Sequence, residues 1–389
     1  MCRADFASTP IETLGGSSAP GIHPLAPPRS GGAALGRPRV ALVAAGLEIL
    51  GGQGIQAQAL AEGLRAEGYD VTFVPVNPRL PKGLRWARGW PYLRTVLNES
   101  FYLPSLVELR RADVVHVFSA SYWSFLLGPA PAMAVARALG KRVILNYHSG
   151  EADDHLGRWG TLVHPFLGLA HAIVVPSEYL RLVFRRHGHG VRVIPNVVDL
   201  ARYAYRERLP LEPRLLSTRN LEPHYAVDNT LKAFALLRAS HPKATLTVAG
   251  YGSQEAPLRQ LARTLGLEGV RFVGRVEPAQ MPGLYDGADL FLNSSTVDNQ
   301  PVSVLESLAS GLPVISTPCG DIPSLVRHGE TGLLVPPGDP EAMAEAIRGL
   351  LKDEGHAAAM AQRARAELER FTWRGVRREW AALYGEARA

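Results

Sequence analysis

The sequence predicts an α/β protein made of two Rossmann-like domains, each built on a parallel sheet. Short apolar runs typical of buried strands alternate with segments of helical spacing along most of the chain. This alternation occurs in two blocks, separated by a charged stretch with two prolines over residues 199–213. A length of 389 residues also suits two domains of ordinary size.

The first block, residues 37–200, opens with a Rossmann-type order of elements. A strand at 39–45 leads into a glycine-rich loop at 46–54, a helix at 55–67 and a second strand at 70–76. The alternation continues with strands at 113–118, 142–147, 172–176 and 191–195 and helices at 132–139 and 179–186. Parallel pairing follows from this order, because each helical crossover returns the chain in the same direction.

The second block, residues 201–370, repeats the pattern. Strands are predicted at 214–218, 245–249, 270–273, 290–293, 314–317 and 332–335, with helices at 229–239, 256–265, 301–310 and 340–351. Residues 371–389 predict a final amphipathic helix, in which Trp373 and Trp380 are expected to be packing anchors. Residues 1–36 are rich in Gly, Pro, Ser and Ala without periodicity, which indicates a disordered tail or a start codon placed too early.

The positive charge of the chain lies in its first block. Residues 37–200 carry 18 basic and 12 acidic side chains, which accounts for the whole net charge of +6. Within this block, residues 79–111 carry seven basic and two acidic side chains, interleaved with Trp86, Trp90, Tyr92, Phe101 and Tyr102. This composition suits an anionic membrane surface or a lipid-linked pyrophosphate, and a solvated basic helix face is the plain alternative. No nucleic-acid-binding module is recognisable, so no nucleic-acid partner is expected.

The sequence also predicts where the protein resides. Val117–Ala136 has no charged side chain and is long enough to span a bilayer, but its serines and prolines favour a strand, a loop and a helix. No secretory signal is recognisable at the start of the chain. Two cysteines, Cys2 and Cys319, fit a reducing compartment. We therefore expect a cytoplasmic protein, peripheral on the inner face of the membrane.

The most informative stretch runs from Asp298 to Gly311, DNQPVSVLESLASG. Pro301 suits the first position of a helix, because its missing N–H leaves no hydrogen bond unmade there. The N–H groups of residues 299–303 would then point out of the helix toward phosphate or sugar oxygens. Glu306 could accept hydrogen bonds from a ribose diol, and Asp298 from sugar hydroxyls. An ordinary helix start with a solvated acid is the alternative.

These two acids, followed by SLASGLPVIST, resemble the donor site of the group 1 type, family 4 glycosyltransferases. That family has the GT-B architecture, two Rossmann-like domains facing a central cleft, and retains the anomeric configuration. The resemblance runs from about Arg39 to the C-terminus, and Asp298 stands where the family usually has Glu. Further matching segments are Gly51-Gly52, Ile194-Pro195-Asn196 with Asp199, Gly250-Tyr251-Gly252 and Gly329–Val335.

The resemblance implies a role for each matching residue. Glu306 would bind the ribose of the donor, and Asp298 would contact the transferred sugar. The loop around the sugar and pyrophosphate would be formed by Asn299, Gln300, Pro301 and Val302. Backbone amides would approach the phosphates at Gly51, Gly52, Gln53 and Gly54, where a Cβ would hold the chain back, and Gly250 would also bind the donor.

One departure from the family concerns positive charge. The family usually places an Arg and a Lys beside the pyrophosphate, where they neutralise it without a metal. Within residues 217–228, Arg219 can serve as the Arg, but Tyr225 stands where the Lys is expected. Either Arg219 acts with helix dipoles alone, or another cation such as His224 or Arg275 enters the site. We expect no cofactor and no metal, since the chain has no D-x-D triplet.

A histidine follows the predicted strand 142–147. His148 falls at its carboxyl end, where ligands bind in such sheets. Similar enzymes contact the donor sugar with a His at this place, and a buried structural histidine is the alternative. The neighbouring Glu151, Asp153, Asp154 and His155 are expected to form an acceptor-side loop, with solvated acids as the alternative.

Together these features predict a hexosyltransferase with His148, Asp298 and Arg219 as catalytic residues. It would move a sugar from a UDP-, GDP- or ADP-linked donor to a hydroxyl of a sugar or lipid-linked acceptor, in polysaccharide or glycolipid synthesis. The leaving phosphate is expected to take the proton of the acceptor. Two alternatives remain: a nucleotide-sugar epimerase of the same fold, and a non-catalytic nucleotide-sugar-binding scaffold, which Tyr225 would support.

Overall fold

The computed structural model describes residues 37–46, 51–81, 83–84, 86, 90–119 and 121–385. The predicted tail at 1–36 lies outside the described residues. The same holds for residues 47–50 of the glycine-rich loop, for Lys82, Arg85 and Arg88 of the basic stretch, and for the last four residues of the chain.

The N-terminal domain is a parallel six-stranded sheet in the order β2-β1-β3-β4-β5-β6. Its inner strands are buried apolar runs, because helices cover both faces of the sheet. The strands are β1 Val40–Ala44, β2 Val71–Pro75, β3 Val114–Ser119, β4 Arg142–Tyr147, β5 Ala172–Val175 and β6 Arg192–Val193. The helices are α1 Gly52–Ala66, α2 Pro91–Ser105, α3 Tyr122–Leu127, α4 Pro129–Ala138, α5 Ala152–Leu167 and α6 Glu178–Arg186.

The C-terminal domain has a second parallel six-stranded sheet, in the order β12-β11-β10-β7-β8-β9. Its strands are β7 Arg214–Ser217, β8 Thr245–Ala249, β9 Val270–Gly274, β10 Leu290–Asn293, β11 Val314–Ser316 and β12 Leu333–Leu334. Its helices are α7 Val227–Arg238, α8 Glu255–Thr264, α9 Met281–Asp286, α10 Val302–Ala309, α11 Ile322–Leu325, α12 Pro340–Lys352 and α13 Glu354–Ala366. The predicted α/β class with two parallel sheets is confirmed.

The last helix, α14 at Trp373–Gly385, returns to the N-terminal domain. Trp380 and Tyr384 are buried in one apolar cluster with residues of β1 and α1, and Trp373 packs against it. Gly63 of α1 leaves room for this contact, since a Cβ there would lie 2.4 Å from the indole of Trp373. Tyr384 Oη also lies 2.7 Å from Nδ1 of the buried His116 on β3. Both tryptophans are packing anchors, as predicted.

Every predicted strand is present, but several helices differ from the prediction. Helix α1 begins at Gly52, so Gly52 and Gly54 belong to its first turn and not to a preceding loop. Pro301 is the cap residue before α10, which begins at Val302. Helix α5 occupies the segment predicted as an acceptor-side loop, because its acids sit in the first turn, where the helix dipole favours them, and its apolar face is buried. Helices α2, α3, α9, α11 and α13 were not predicted.

The uncharged segment Val117–Ala136 is divided into several elements, but a short helix lies where a loop was predicted. It contains the end of β3, the short helix α3 and most of α4. Within the described ranges, none of the helices combines the length and the apolarity that crossing a bilayer requires.

Candidate active site

The amino ends of two helices, one from each domain, face each other. Helix α1 begins at Gly52 and α10 begins at Val302. A Cβ on Gly52 would lie 3.6 Å from Cγ2 of Val302, so the two helix starts are in near contact. The first N–H groups of a helix have no partner within it and carry the positive end of its dipole. Two such ends in one place form a strong site for an anion.

Two cavities meet at these helix starts. The first has a volume of about 300 Å³ and is lined by His148, Asp298 and the loop that follows Asp298. The second, of about 150 Å³, is lined by Thr218, Gly250 and Glu306. Four residues line both cavities, namely Gly52, Arg219, Tyr225 and Val302. A ligand with one part in each cavity would therefore place its middle beside Arg219 and the two helix starts.

The guanidinium of Arg219 is buried between three partners. One nitrogen donates to Asp298 Oδ2 at 2.5 Å and another to Ser303 Oγ at 2.9 Å. The ring of Tyr225 covers the guanidinium, with its centroid 4.2 Å from the central carbon. Burial alone would lower the pKa of Arg219, but the charge of Asp298 together with smaller contributions from neighbouring groups raises it overall. The Arg219 side chain therefore stays charged, and Tyr225 holds it by a cation–π contact.

Glycines fix the backbone around Asp298 and Arg219. A Cβ on Gly150 would lie 2.8 Å from the Asp298 carbonyl, and one on Gly320 would lie 2.2 Å from its oxygen. Gly250, at a φ of +149°, passes so close to Arg219 that a Cβ would lie 2.0 Å from the Arg219 oxygen. Since any side chain at these positions would collide with backbone, the two charged residues are held in place from several sides.

The amide side chains of Asn299 and Gln300 tie the Asp298 loop to the N-terminal domain. Asn299 accepts a hydrogen bond from Ser177 Oγ and donates to the His148 carbonyl at 3.5 Å. Gln300 Oε1 accepts from the backbone N–H of Asn196 at 2.6 Å. The backbone carbonyl of Gln300 accepts from the side-chain amide of Asn196 at 2.8 Å. Both residues line the larger cavity, but these bonds engage their side chains within the protein.

The carboxylate of Glu306 is buried beneath the smaller cavity. Its two oxygens accept hydrogen bonds from Tyr203 Oη at 2.6 Å and from Tyr285 Oη at 2.8 Å. Burial raises the pKa of Glu306, although the two phenol hydrogen bonds oppose the shift. A carboxylate has about four lone-pair sites. Two phenols therefore leave about half of its capacity for a ligand.

His148 lies at the carboxyl end of β4 and stacks on Phe118, with ring centroids 5.2 Å apart. Its Nε2 is buried and has no hydrogen-bond partner among the described residues. Burial lowers the pKa of His148 to about 3. The imidazole is therefore neutral at pH 7, and His148 lines the larger cavity.

Known proteins match both domains of the chain. Residues 50–202 match the family described as Glycosyltransferase Family 4, and residues 206–367 match the one described as Glycosyl transferases group 1. Glycogen synthase of Mycobacterium tuberculosis is 31% identical over 294 residues, which cover 70% of this chain and 69% of that protein. The chain belongs to the group 1, family 4 glycosyltransferases.

Two further comparisons support the family and the fold of this glycosyltransferase. Alpha-monoglucosyldiacylglycerol synthase of Streptococcus pneumoniae is 31% identical over 231 residues, which are 52% of this chain and 51% of that protein. The crystal structure of Anabaena HepE in complex with UDP-glucose superimposes with a TM-score of 0.70 at 18% identity, covering 90% of this chain and 100% of that one. The GT-B fold is thereby confirmed. These relatives do not favour the epimerase or the scaffold alternative.

A third cavity of this glycosyltransferase lies in the N-terminal domain. It has a volume of about 610 Å³, and its walls combine apolar residues such as Val76 and Phe118 with polar residues such as Arg94 and Glu99 of α2. Gln53 lines both this chamber and the larger polar cavity, so the two spaces share a wall residue. The Gln53 Nε2 is buried without a hydrogen-bond partner among the described residues.

Some of the remaining predicted residues line the cavities of this glycosyltransferase, and others are buried in its helices. Gly51 caps α1 and lines the smaller cavity, while Gly54 is buried in the first turn of α1. His155 is not on an acceptor-side loop, because it is buried in α5 and bonded to Tyr147 Oη at 2.8 Å. His224 lines the larger cavity, and Arg275 lines the smaller one and the chamber.

The acids near His155 lie at the start of α5. Asp154 accepts from Tyr122 Oη at 2.7 Å, and Asp153 lies 3.0 Å from His187. Glu151 lines the larger cavity. No group of three or more His, Cys, Asp or Glu side chains placed to hold a metal ion occurs in the part of the chain that the structure describes.

Sequence reasoning missed Tyr203 and Tyr285. They reach Glu306 from the segment before β7 and from α9, and they meet at a ring distance of 5.6 Å. Their hydrogen bonds span 103 and 21 positions of the chain. No local motif marks either tyrosine, so only the three-dimensional arrangement reveals them.

Proposed function

We propose that the protein transfers a sugar from a nucleotide-sugar to a hydroxyl of an acceptor, with retention of the anomeric configuration. The observation that supports this most strongly is the pair of cavities joined beside Arg219 and two helix starts. A diphosphate would lie at the junction, where the positive charge is concentrated. The sugar would then lie beside Asp298 and His148, and the nucleoside beside Thr218, Gly250 and Glu306.

The proposed chemistry depends on the departing diphosphate. The bond from the anomeric carbon to the phosphate oxygen breaks, and a bond to the acceptor oxygen forms on the same face of the sugar. The acceptor proton passes to the departing phosphate. Arg219 and the two helix dipoles stabilise the charge that develops there, which is the main contribution asked of the protein. These groups take the place of a metal or a second cation such as the missing Lys.

His148 and Asp298 would orient the sugar. The neutral His148 would accept or donate through Nε2, which has no partner among the residues that the structure describes. Asp298 accepts hydrogen bonds from the sugar hydroxyls. Both residues act by holding the anomeric carbon in place, so their removal should slow the reaction more than it weakens nucleotide binding.

The acceptor would enter through the chamber. Its walls are apolar at Val76 and Leu127 and polar at Arg94 and Asn98, which suits an acceptor that joins a lipid to a polar group, and Gln53 would hold the attacking hydroxyl. One relative, a glucosyldiacylglycerol synthase by name, acts in lipid glycosylation. We therefore place the protein in glycolipid or lipid-linked polysaccharide synthesis.

A membrane surface would supply such an acceptor. Helix α2, beside the chamber, exposes Tyr92 by 90% and Val96 by 65%, and Trp90 just before it by 67%. Exposed aromatic rings next to the basic residues of the 79–111 stretch suit the interface of an anionic bilayer. Tyr102 is an exception to the predicted surface, since it is buried and bonded to the Gly128 carbonyl at 2.7 Å.

A thermal-shift screen tests the proposed donor. UDP-, GDP- and ADP-linked sugars are added to the full chain, and one of them should raise the melting temperature in a concentration-dependent way. The matching donor is then incubated with dioctanoylglycerol and with octyl glucoside, and the anomer of the product is determined by NMR. An inverted product would exclude retention, and absence of a shift with all donors would contradict the function itself.

A further inference from the structure

We infer that Asp298 is an internal competitor for Arg219, which makes the site select a nucleotide-sugar over the free nucleoside diphosphate. The inference rests on the proposed function. It adds a reason for product release: the same carboxylate that contacts the sugar also neutralises the residue that would hold the diphosphate.

Arg219 and Asp298 form a buried ion pair. Arg219 and Asp298 are 2.5 Å apart, and their side chains are only 9% and 10% exposed. With Tyr225 over its face and Ser303 on another nitrogen, Arg219 has little freedom to turn away. An arriving diphosphate therefore meets an arginine whose charge is already balanced, and it is repelled by a carboxylate beside it.

The backbone of Asp298 is held in place from both sides. The other carboxylate oxygen of Asp298 accepts the Asn299 N–H at 2.9 Å, and Gly150 and Gly320 hold its backbone closely on both sides. The loop cannot carry Asp298 away from the cavity without breaking these contacts. Release of Arg219 must therefore come from new hydrogen-bond donors offered to the carboxylate within the cavity.

The two ligands differ in whether they offer such donors. A nucleotide-sugar brings sugar hydroxyls, which can donate to Asp298 while the diphosphate takes Arg219. A free nucleoside diphosphate brings no donor at that place, so the lost ion pair stays uncompensated. Once the sugar has been transferred, Asp298 regains Arg219, and the affinity for the remaining diphosphate falls.

The test compares two ligands on wild-type protein and Asp298→Asn by isothermal titration calorimetry. The ligands are the nucleotide-sugar found by the thermal-shift screen and its own diphosphate, UDP, GDP or ADP. We expect Asp298→Asn to bind the diphosphate about 10-fold more tightly, because a charge-assisted partner of Arg219 is gone. It should bind the nucleotide-sugar no more tightly than wild type, so the discrimination between the two ligands shrinks.

Two further variants separate the local effect from general charge. Asp153→Asn removes a nearby carboxylate that lines neither donor cavity and does not contact Arg219, and it should change diphosphate binding by less than about 3-fold. Asp298→Glu keeps the charge and should keep weak diphosphate binding. Circular dichroism and melting curves establish that each variant is folded.

Each outcome decides the inference. Unchanged or weaker diphosphate binding by folded Asp298→Asn would show that Asp298 orients Arg219 and does not compete with the ligand. Failure of Asp298→Asn to fold transfers the decision to Asp298→Glu, where strong diphosphate binding contradicts the inference. If wild-type protein binds no nucleotide-sugar, the proposed function fails and the inference with it.

Discussion

The donor cavities and the chamber place different demands on a ligand. Polar side chains such as Glu306, Asp298 and Gln300 line the donor cavities, and each is already fixed by hydrogen bonds. The chamber is larger, at about 610 Å³, and its wall mixes apolar residues such as Val76 with polar ones such as Arg94. Because polar contacts in a buried site are costly to leave unmade, the donor side should be far less tolerant of change than the acceptor side.

The largest effect is expected at Glu306. Replacing it by Gln removes the charge that would accept the ribose hydroxyls, while the shape of the side chain is kept. Loss of charge-assisted hydrogen bonds should weaken donor binding roughly 10- to 100-fold. Calorimetry with the screened nucleotide-sugar measures this, with Glu345→Gln on the surface of α12 as the control. Equal binding by the two variants would remove Glu306 from the site.

A smaller and different effect is expected at Gln53, where the two regions adjoin. Gln53→Ala should lower the rate of transfer about 10-fold, since the attacking hydroxyl loses a fixed partner. Donor binding should change less than about 2-fold, because the loss falls on the acceptor. Initial rates with dioctanoylglycerol and calorimetry with the donor separate the two, and the exposed Gln58→Ala on the same helix is the control. Weaker donor binding at an unchanged rate would assign Gln53 to the donor side.

The membrane surface should respond more weakly still. The double variant Trp90→Ala and Tyr92→Ala removes two exposed rings, and co-sedimentation with vesicles of phosphatidylcholine and phosphatidylglycerol should fall several-fold. Activity toward octyl glucoside, which needs no bilayer, should stay the same. Leu265→Ala, exposed on the C-terminal domain, is the control. Undiminished vesicle binding would show that α2 does not face the membrane.

The smallest effect concerns stability and pH. Burial raises the pKa of Glu306 in the folded protein, so the free energy of unfolding falls as the pH rises from the ordinary carboxyl pKa to the raised one and stays low above it. Glu306→Gln should therefore melt at a higher temperature than wild type at pH 7. The advantage should shrink as the pH falls and Glu306 becomes protonated. Melting curves from pH 4 to 8 measure this, and a difference that grows toward low pH would contradict the direction of the pKa shift.

Much of the fold was predictable because buried parallel strands are continuous apolar runs. The strands of both sheets stand out in the sequence for this reason, as Val40–Ala44 shows. Helix α2 was missed because Pro104 interrupts it and its exposed side carries apolar residues, which hides the usual periodicity. Helix α5 was missed because the acids that begin it, Asp153 and Asp154, resemble ligands as much as they resemble a helix start.

The candidate site was predictable one motif at a time. Asp298, Glu306 and His148 follow recognisable local patterns, and each of them lines one of the donor cavities. Which residues pair with them could not be predicted. The Asp298 contact to Arg219 spans 79 positions, and the Glu306 contact to Tyr203 spans 103. Such pairs depend on how the sheets place distant loops together, which no local spacing encodes.

The central claim is that a diphosphate lies where the starts of α1 and α10 meet Arg219. A crystal structure of the protein with its nucleotide-sugar, or with the diphosphate alone on Asp298→Asn, tests it most directly. We predict phosphate oxygens within hydrogen-bond distance of Arg219 and of backbone N–H groups near Gly52 and Val302. A diphosphate bound elsewhere, with Arg219 still held by Asp298 in the presence of the nucleotide-sugar, would contradict the account.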